Sequence, residues 1–273
     1  NVDVDKACDN IRRIFSVCGM KKMPLLGKGA ANSLSAEPYK QRFVHGVDGL
    51  GNTNLELSGT VSGVETADEV IRRAVTEGEI DLFVALGPLT NIARILIEEP
   101  VIKDSIKEIL IMGGSVFTPG NATNEAEFNF YQDPEAAKVV LNSKIPVRLV
   151  CLDLTRQILF TRDLLKRIRR KKDSPLSRFI HSMFDYTLDY HKRYKERDGI
   201  YLPDVLAMCA VVDGEVVSYK DLSLDVDIKK DKGRVFDNME AGNTIKFCEK
   251  IDKERAVNMF VDGINGLIEG ESG

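Results

Sequence analysis

The stretch DLFVALGPLTNIARILIEE, residues 81–99, decides the fold class. Its first six residues, 81–86, form a short apolar run, which predicts a buried β-strand. A Gly-Pro turn follows, and residues 91–98 then carry apolar side chains at helical spacing after a polar cap at Thr90. A strand, a tight turn and a helix in this order form the unit from which parallel sheets with helical crossovers are built.

The same alternation continues downstream of this unit. Residues 108–112 and 147–152 are short apolar runs that predict two further buried strands. Between them, residues 133–142 have the apolar spacing of a helix, with Asp133 as its cap. Successive strands joined by helices predict neighbouring parallel strands in one sheet.

The rest of the chain is predicted to cover this sheet with helices. Further helices are predicted at residues 7–18, 67–76, 161–171, 175–196, 202–212 and 253–268. Residues 222–248 alternate apolar and polar side chains, which predicts a small antiparallel addition near the C-terminus. No repeat or low-complexity linker divides the sequence, so we expect residues 1–273 to form a single α/β domain with an open, mostly parallel sheet flanked by helices.

Composition argues against several classes of protein. The 38 Lys and Arg residues against 42 Asp and Glu residues give a net charge of -4, and basic runs such as residues 166–172 are interrupted by apolar side chains. This pattern is unlike a nucleic-acid-binding surface. No apolar segment reaches the roughly 18 residues that cross a bilayer, and the first residues do not resemble a signal peptide. We therefore expect a soluble, cytoplasmic protein with no nucleic-acid or membrane partner.

The cysteines predict neither a disulfide framework nor a zinc site. They are five in number, with no Cys-x-x-Cys pair, and stand at positions 8, 18, 151, 209 and 248. Reduced, mostly buried thiols are the expected state.

The segment MGGSVFTPGNATNEAEFNFYQDPEAA, residues 112–137, carries the strongest indication of a ligand site. It contains a loop of about twenty residues, which is long enough to indicate a function rather than a simple connection. Its amides and carboxylates are Asn121, Asn124, Glu125, Glu127 and Asn129. Such side chains can each hydrogen-bond one or two hydroxyls, so the loop is suited to binding a polyhydroxyl compound.

Three shorter segments allow a functional and a structural interpretation. HGVDGLGN at residues 45–52 has three glycines, but not at the spacing of a dinucleotide-binding loop, and His45 alone favours a structural role. ALGPLTN at residues 85–91 is equally a simple turn between a strand and a helix. YLPDVLAM at residues 201–208 places Asp204 where it could be only a helix cap.

Together and in this order, these segments resemble the inosine-uridine nucleoside hydrolase family. The resemblance rests on ALGPLTNIA at 85–93, MGG at 112–114, the GN, AEFN and DPEAA segments between 120 and 137, and LDLT at 152–155. It extends over essentially the whole chain. It implies a Rossmann-like fold and hydrolysis of the N-glycosidic bond of ribonucleosides to free base and ribose, a reaction of nucleoside catabolism and purine salvage. It also implies a homo-oligomer.

The resemblance implies a role for each matching polar residue around the sugar. Glu127 and Asn129 would bind ribose hydroxyls, and Asn121 would reach the other end of the sugar. Asn1 would also contact ribose, and Met112 would form an apolar wall.

The resemblance further implies catalysis assisted by Ca²⁺. His45 stands where many members place a histidine that faces the substrate, and the Leu86 carbonyl and the Asp204 carboxylate stand at metal-binding positions. Breaking the bond builds positive charge on the ribosyl ring, which carboxylates and amide oxygens stabilise. In such a site Ca²⁺ would hold two ribose hydroxyls and a water, which an aspartate would deprotonate.

The sequence departs from the family in its metal ligands. The family's aspartate-rich turn, Asp-x-Asp-Pro-Gly-x-Asp-Asp, does not occur in it, and Asp3, Asp5 and Asp9 are interpreted as helix-cap and surface charges. We therefore expect an upstream segment of roughly 30 residues or more, about one strand-helix unit. We predict that the chain as given binds Ca²⁺ poorly.

A second departure concerns the leaving base. Many members have His-Asp where this chain has Pro203-Asp204, and that histidine is a candidate proton donor to the base. His191 and Tyr194 are possible substitutes. Base preference is therefore open, and a non-catalytic nucleoside- or ribose-binding protein derived from the family is the alternative hypothesis. A dinucleotide-dependent oxidoreductase is disfavoured by the glycine spacing.

Overall fold

A computed structural model of the chain describes residues 2–34, 44–57, 64–78 and 80–270. In chain order, its strands are β1 (Gly27–Lys28), β2 (Glu65–Thr66), β3 (Phe83–Ala85), β4 (Ile109–Met112), β5 (Val147–Val150), β6 (Val217–Leu222), β7 (Leu224–Val226), β8 (Val235–Asp237) and β9 (Ile245–Ile251). Its α-helices are α1 (Val4–Val17), α2 (Ala67–Glu77), α3 (Thr90–Glu98), α4 (Phe128–Gln132), α5 (Pro134–Leu141), α6 (Leu152–Thr155), α7 (Arg162–Leu165), α8 (Pro175–Lys195), α9 (Pro203–Val212) and α10 (Lys253–Gly270). Short 3-10 helices span Pro100–Ser105, Gly214–Val216 and Met239–Ala241.

The central sheet has five strands in the order β3-β4-β5-β9-β6. Strands β3, β4, β5 and β9 run parallel to their neighbours, and only β6, at one edge, is antiparallel. Strands β7 and β8 pair antiparallel in a separate small sheet. The predicted α/β class, with an open, mostly parallel sheet and a small antiparallel addition, is confirmed.

Strand β4 shows why these runs are apolar throughout. All four of its residues are buried. Alternate side chains point to opposite faces of a strand, so Ile109 and Ile111 join a core formed with α3 and α5, whereas Leu110 and Met112 join a core formed with α9. A strand covered by helices on both faces has no side facing solvent, which is why its sequence shows no polar alternation.

Strand β9 has one antiparallel and one parallel neighbour. Residues 245–248, predicted as part of the antiparallel addition, pair antiparallel with β6, which sets Leu222 opposite Ile245. The other edge of β9 pairs parallel with β5, with Val147 opposite Ile245, so these residues belong to the central sheet and not to the small sheet of β7 and β8. Buried side chains of β9 contribute to both cores of the central sheet. The parallel partner lies far upstream in the chain and could not be read from the alternation.

The predicted helix over residues 161–171 was also wrong, because only α7 forms there. The backbone N–H of Arg169 donates to the side chain of Asn265 at 2.7 Å, and that of Lys171 donates to the Ser177 hydroxyl at 2.9 Å. Distant side chains thus accept the bonds that a longer helix would have made within itself. The adjacent prediction of a long helix over residues 175–196 is confirmed by α8.

Asp133 joins three segments through one buried carboxylate. It is the cap of α5, as predicted, and accepts a bond from the Ala136 N–H at 3.2 Å. The same carboxylate accepts bonds from the Leu34 N–H at 2.8 Å and the Thr90 hydroxyl at 2.6 Å. Thr90 is therefore the first residue of α3 and not its cap, because its hydroxyl is engaged with Asp133.

The cysteines are free, and Cys8, Cys151, Cys209 and Cys248 are buried, which agrees with the predicted reduced thiols. Among the described residues, no helix combines the length and the apolar content that a bilayer crossing requires. The single-domain organisation predicted for residues 1–273 includes residues outside the described ranges and stays a prediction.

Candidate functional site

A cavity of about 620 Å³ lies beyond the carboxyl ends of β3 and β4. This edge is where open α/β sheets bind their ligands. Seven of the eight residues predicted for the site line it, namely His45, Leu86, Met112, Asn121, Glu127, Asn129 and Asp204. The eighth, Asn1, lies outside the described residues. The structure thus brings the predicted residues together, and their chemical roles stay predictions.

Glu127 stands at the start of α4 and is only 2% exposed. One of its carboxylate oxygens, Oε2, accepts three backbone bonds, from Gly114 at 3.0 Å, Asn129 at 2.9 Å and Phe130 at 3.2 Å. Gly114 has a φ of 74°, a left-handed conformation that side chains rarely adopt, so a glycine is needed to aim this N–H. Oε2 therefore holds the loop in place, and the other carboxylate oxygen, Oε1, is available to a ligand in the cavity.

Burial sets the protonation of Glu127. Desolvation and, to a smaller extent, the negative charge of Asp204 raise its pKa to about 7, against the three backbone bonds that lower it. The carboxyl is therefore divided between its two protonation states near neutral pH. The contribution of Asp204 also indicates that the two carboxylates face the same volume.

Asn129 connects the ends of two strands. Its amide Nδ2 donates to the Met112 carbonyl at 3.0 Å and, more weakly, to the Leu86 carbonyl at 3.4 Å. Because Nδ2 is engaged with the protein, the Oδ1 oxygen is the atom that Asn129 can offer to a ligand. The same contact places an N–H next to Leu86, the carbonyl predicted to bind a metal.

The loop that carries Asn121 folds tightly on itself. The N–H groups of Asn121, Ala122 and Thr123 all donate to the Ala126 carbonyl, at 3.1, 3.1 and 3.3 Å. A Cβ at Gly120 would lie 2.1 Å from that same carbonyl, so only glycine fits there. The Asn121 Oδ1 accepts from the Phe128 N–H at 2.7 Å, which leaves its amide N–H groups facing the cavity.

Two charged side chains from the LDLT segment and the residue after it brace the same loop. Asp153 accepts from the Val116 N–H at 2.9 Å and the Phe117 N–H at 2.8 Å. Arg156 donates to the Thr118 hydroxyl at 3.1 Å, to the Pro119 carbonyl, and to the Gly120 carbonyl at 2.8 Å. Side chains that follow β5 therefore hold the loop that follows β4.

Asp204 lies in the first turn of α9, and Leu202 is the cap residue. The Asp204 carboxylate makes no capping bond, so the purely structural interpretation of Asp204 as a helix cap was wrong. Solvent reaches the side chain through the cavity, but the surrounding protein still raises its pKa to about 6 by desolvation.

His45 lies on the glycine-rich loop at residues 45–52. The Asp48 carboxylate accepts the N–H groups of Leu50 and Asn52, each at 2.8 Å, and that of Asn54 at 3.1 Å. An acid of this chain therefore takes the N–H groups that would cradle a phosphate, which argues against dinucleotide binding. Desolvation lowers the pKa of His45, and His191 lowers it further, so the imidazole is neutral at pH 7.

Several lining residues were not predicted from the sequence. They include Phe128, Thr155, Arg156, Met183, Thr187, Lys195, Arg197 and Tyr201. Of the two possible substitutes for the histidine absent at Pro203, His191 lines the cavity, whereas Tyr194 is 61% exposed and is not part of its wall. The polar spacing of Thr187, His191 and Lys195, four residues apart on α8, is the signal that could have identified this wall.

The described residues do not by themselves fit a calcium ion. Ca²⁺ prefers six to eight oxygen ligands. The predicted ligands, Leu86 and Asp204, supply one carbonyl and one carboxylate. Within the described ranges, no three His, Cys, Asp or Glu side chains are grouped so that they could hold a metal.

Comparison with known proteins places the chain in one family. The sequence profile described as "Inosine-uridine preferring nucleoside hydrolase" matches residues 1–258. "Probable uridine nucleosidase 1" of Oryza sativa subsp. japonica is 32% identical over 222 residues, which are 81% of this chain and 68% of that protein. The "Inosine-uridine preferring nucleoside hydrolase" of Leishmania major is 31% identical over 231 residues, which are 84% of this chain and 72% of that protein. Two other plant relatives are matched over 66% of their length.

The fold is similar to that of a solved structure from the same group. The chain superimposes on the "Purine-Preferring Ribonucleoside Hydrolase from Gardnerella vaginalis" with a TM-score of 0.90 and 28% identity, over 98% of this chain and 88% of that one. The sequence profile and the relatives agree with the resemblance inferred from the residues themselves. This chain belongs to the inosine-uridine preferring nucleoside hydrolase family, a family of hydrolases.

Proposed function

We propose that this protein hydrolyses the N-glycosidic bond of ribonucleosides and releases free base and ribose. One observation carries the proposal: the predicted residues from four separate segments of the chain line one cavity, with a buried, partly protonated Glu127 in its wall. Family membership supports the same reaction class.

The ribose would lie against the loop that follows β4. The free oxygen of Glu127 and the Oδ1 of Asn129 accept hydrogen bonds from sugar hydroxyls, and the Asn121 amide donates to the far end of the sugar. These groups are held by backbone contacts before a ligand arrives. Such preorganised oxygens stabilise the positive charge that develops on the ribosyl ring as the bond to the base breaks.

Base release from a panel of nucleosides tests this proposal. The full-length protein is incubated with inosine, adenosine, uridine and cytidine, and free base is separated by chromatography. We expect release from at least one ribonucleoside and much slower release from its 2′-deoxy analogue, because a site built to bond a hydroxyl rejects a ligand that lacks it. Equal rates with ribose and deoxyribose substrates would contradict the assignment of Glu127 and Asn129 to the sugar.

Calcium assistance is a further part of the proposal. We propose that Leu86 and Asp204 contribute to a Ca²⁺ site whose other oxygens come from water, ribose or residues outside the described ranges. With so few protein ligands, we expect the chain as given to bind Ca²⁺ only at millimolar concentrations or above, the weak end of the usual range. Calorimetry measures this, with Asp204→Asn as the test and Asp213→Asn, on the far end of α9, as the control. Micromolar binding that survives Asp204→Asn would contradict it.

A non-catalytic nucleoside- or ribose-binding protein is the second candidate function. Pro203, at the position of the family's histidine, and the small number of acidic groups at the cavity favour it. Calorimetric binding of inosine or ribose by the full-length protein in Ca²⁺, without any base release over hours, would select this function over hydrolysis.

A further inference from the structure

The glycine-rich loop at residues 45–52 lies between two helices. On one side, the Asn10 amide of α1 donates to the Asp48 carbonyl at 2.8 Å. On the other side, Leu50 is buried in a core that it shares with side chains of α8. The loop is therefore anchored to both helices, and its internal bonds decide where His45 lies.

One carboxylate organises this loop from within. The Asp48 Oδ1 atom accepts the N–H groups of Leu50 and Asn52, each at 2.8 Å, and Oδ2 accepts that of Asn54 at 3.1 Å. An ionised carboxylate has two acceptor oxygens, and it bonds N–H groups more strongly than a neutral acceptor does. Residues 48–54 are thus closed into a turn around a single side chain.

This turn fixes the backbone at His45. The Gly51 N–H donates to the His45 carbonyl at 2.8 Å. The Val47 N–H donates to the Asn52 side chain, also at 2.8 Å. Because Gly51 and Asn52 belong to the turn that Asp48 closes, a change in the turn moves His45.

Asp48 acts from outside the cavity assigned to the nucleoside. Among the described residues of this loop, His45 and Gly49 line that cavity and Asp48 does not. Asp48 instead lines a second cavity, of about 820 Å³, between the loop and α1. An effect of Asp48 on the ligand must therefore pass through the loop, and His45 carries the side chain that can bond to a ligand.

We propose that Asp48 is a positioning residue for the reaction, because its carboxylate closes the turn that holds the His45 imidazole in the cavity wall. This inference rests on the proposed function, to which it adds a residue that does not touch the ligand. A displacement of about 1 Å in a reacting group can lower the rate roughly 100-fold, so bonds lost within the turn should reach the chemistry.

Two substitutions of Asp48 remove these bonds to different extents. Asp48→Asn keeps one acceptor oxygen for Leu50 and Asn52 but turns an amide N–H toward the N–H of Asn54, whereas Asp48→Ala removes all three bonds. We expect kcat/KM of the full-length protein with its best ribonucleoside to fall about 10-fold in Asp48→Asn and about 100-fold in Asp48→Ala. An unchanged kcat/KM in both variants would overturn the proposal.

Asp227 offers a matched control. Its carboxylate also accepts three backbone N–H groups, those of Lys229, Lys230 and Asp231, and it does not line the cavity of His45. Asp227→Asn should therefore lower the free energy of unfolding about as much as Asp48→Asn, but leave kcat/KM at its parent value. An equal loss of kcat/KM in the two variants would make Asp48 only a stabilising residue and would overturn the proposal.

A double-mutant cycle shows whether Asp48 acts through His45. In a His45→Ala background the side chain to be positioned is gone, so adding Asp48→Asn should lower kcat/KM by less than about 2-fold. A second loss of the full 10-fold would mean that Asp48 acts independently of His45, which would overturn the proposal.

Proton NMR of the histidine rings in the ligand-free protein separates this inference from the proposed function. Desolvation lowers the pKa of His45, and Asp48 is not among the groups that shift it. A ring released from its position meets more water, so the pKa of His45 should rise toward its ordinary value of 6.5 in Asp48→Asn and Asp48→Ala. It should keep its parent value in Asp227→Asn.

The NMR result stands whatever the activity. If the parent releases no base from any ribonucleoside, the proposed function fails, but the shift of the His45 pKa is still expected. An identical pKa of His45 in the parent and in folded Asp48→Asn would overturn the inference even if the parent is an active hydrolase.

Discussion

The two ends of the cavity are built in different ways. At the ribose end, Glu127 and Asn129 are fixed by backbone bonds, and Arg156 braces their loop from a neighbouring segment. The other end is formed by α8, and we call it the base end because the base would lie there if the ribose contacts the loop after β4; here His191 bonds to the protein through one ring nitrogen, and Lys195 is exposed. If the ribose and the base lie as proposed, the protein holds the invariant part of its ligand, the sugar, with fixed groups and contacts the variable part, the base, with side chains that have fewer bonds to the protein.

Replacing Glu127 should have the largest effect. Glu127→Gln retains a similar shape but removes the negative charge from the ribose end, so we expect base release to slow by on the order of 100-fold or more. Glu125→Gln, an exposed residue of the same loop that pairs with Arg234, is the matched control and should have little effect. A parent-like rate in Glu127→Gln would remove the distinction between the two ends.

The raised pKa of Glu127 predicts how stability depends on pH. Its folded pKa of about 7 lies above its ordinary value of 4.5, so the folded state holds the proton more tightly than the unfolded state. This contribution to stability is complete below about pH 4.5 and is lost as the pH rises to about 7, by about 3 kcal/mol.

Urea unfolding at pH 5, 6, 7 and 8 measures this effect. Asp204, whose pKa is raised to about 6, adds a contribution of the same sign that remains in Glu127→Gln. The free energy of unfolding of Glu127→Gln should therefore fall less steeply between pH 5 and 8 than that of the parent. Parallel curves for the two proteins would show that the buried carboxyl does not titrate as predicted.

Replacing Arg156 should weaken the ribose end by loosening the loop that it holds. Arg156→Met deletes three bonds to the loop, and we expect nucleoside affinity to fall about 10-fold because the loop is no longer preorganised. Amide exchange of residues 115–126 should accelerate at the same time. Arg167→Met, which loses only a surface contact with Asn258, serves as the control. Unchanged affinity together with faster exchange would confine Arg156 to stability.

Replacing Lys195, at the base end, should have the smallest effect of these substitutions on nucleoside preference. Lys195 is exposed, and exposed charges contribute at most about 1 kcal/mol, so Lys195→Met should change the inosine to adenosine ratio by no more than about 5-fold. The change should also shrink at high salt. Lys192→Met, which removes a surface pair with Asp198, is the control. A loss approaching that of Glu127→Gln would mean that the base end is as rigidly built as the ribose end.

The sequence allowed prediction where the residues concerned lie close together in the chain. The strands are continuous apolar runs, and Asn121, Glu127 and Asn129 stand within nine residues of one another, so both the class of fold and the ribose loop could be predicted. The Thr187 and Lys195 side chains of α8 could not be predicted for the cavity, because they lie in a segment far along the chain from that loop. The helix predicted at 161–171 failed for a related reason, since the distant Asn265 and the later Ser177 accept its backbone bonds.

Metal binding and homo-oligomeric assembly follow only from the resemblance, cytoplasmic location follows only from the composition and the first residues, and all three stay predictions. A metal site, a location in the cell and an oligomeric assembly each depend on more than the side-chain contacts within these segments of one chain. The Ca²⁺ titration and the size of the protein in solution address the first and the last.

The buried carboxylate of Asp133 has a consequence for kinetics. It bonds to Leu34, 99 residues away, and to Thr90, 43 residues away. Contacts between such distant parts of a chain are slow to form. An interaction made after the rate-limiting step leaves the folding rate nearly unchanged and slows unfolding instead. We therefore expect the Asp133 carboxylate to slow unfolding, and so to lengthen the lifetime of the folded protein, with little effect on the folding rate.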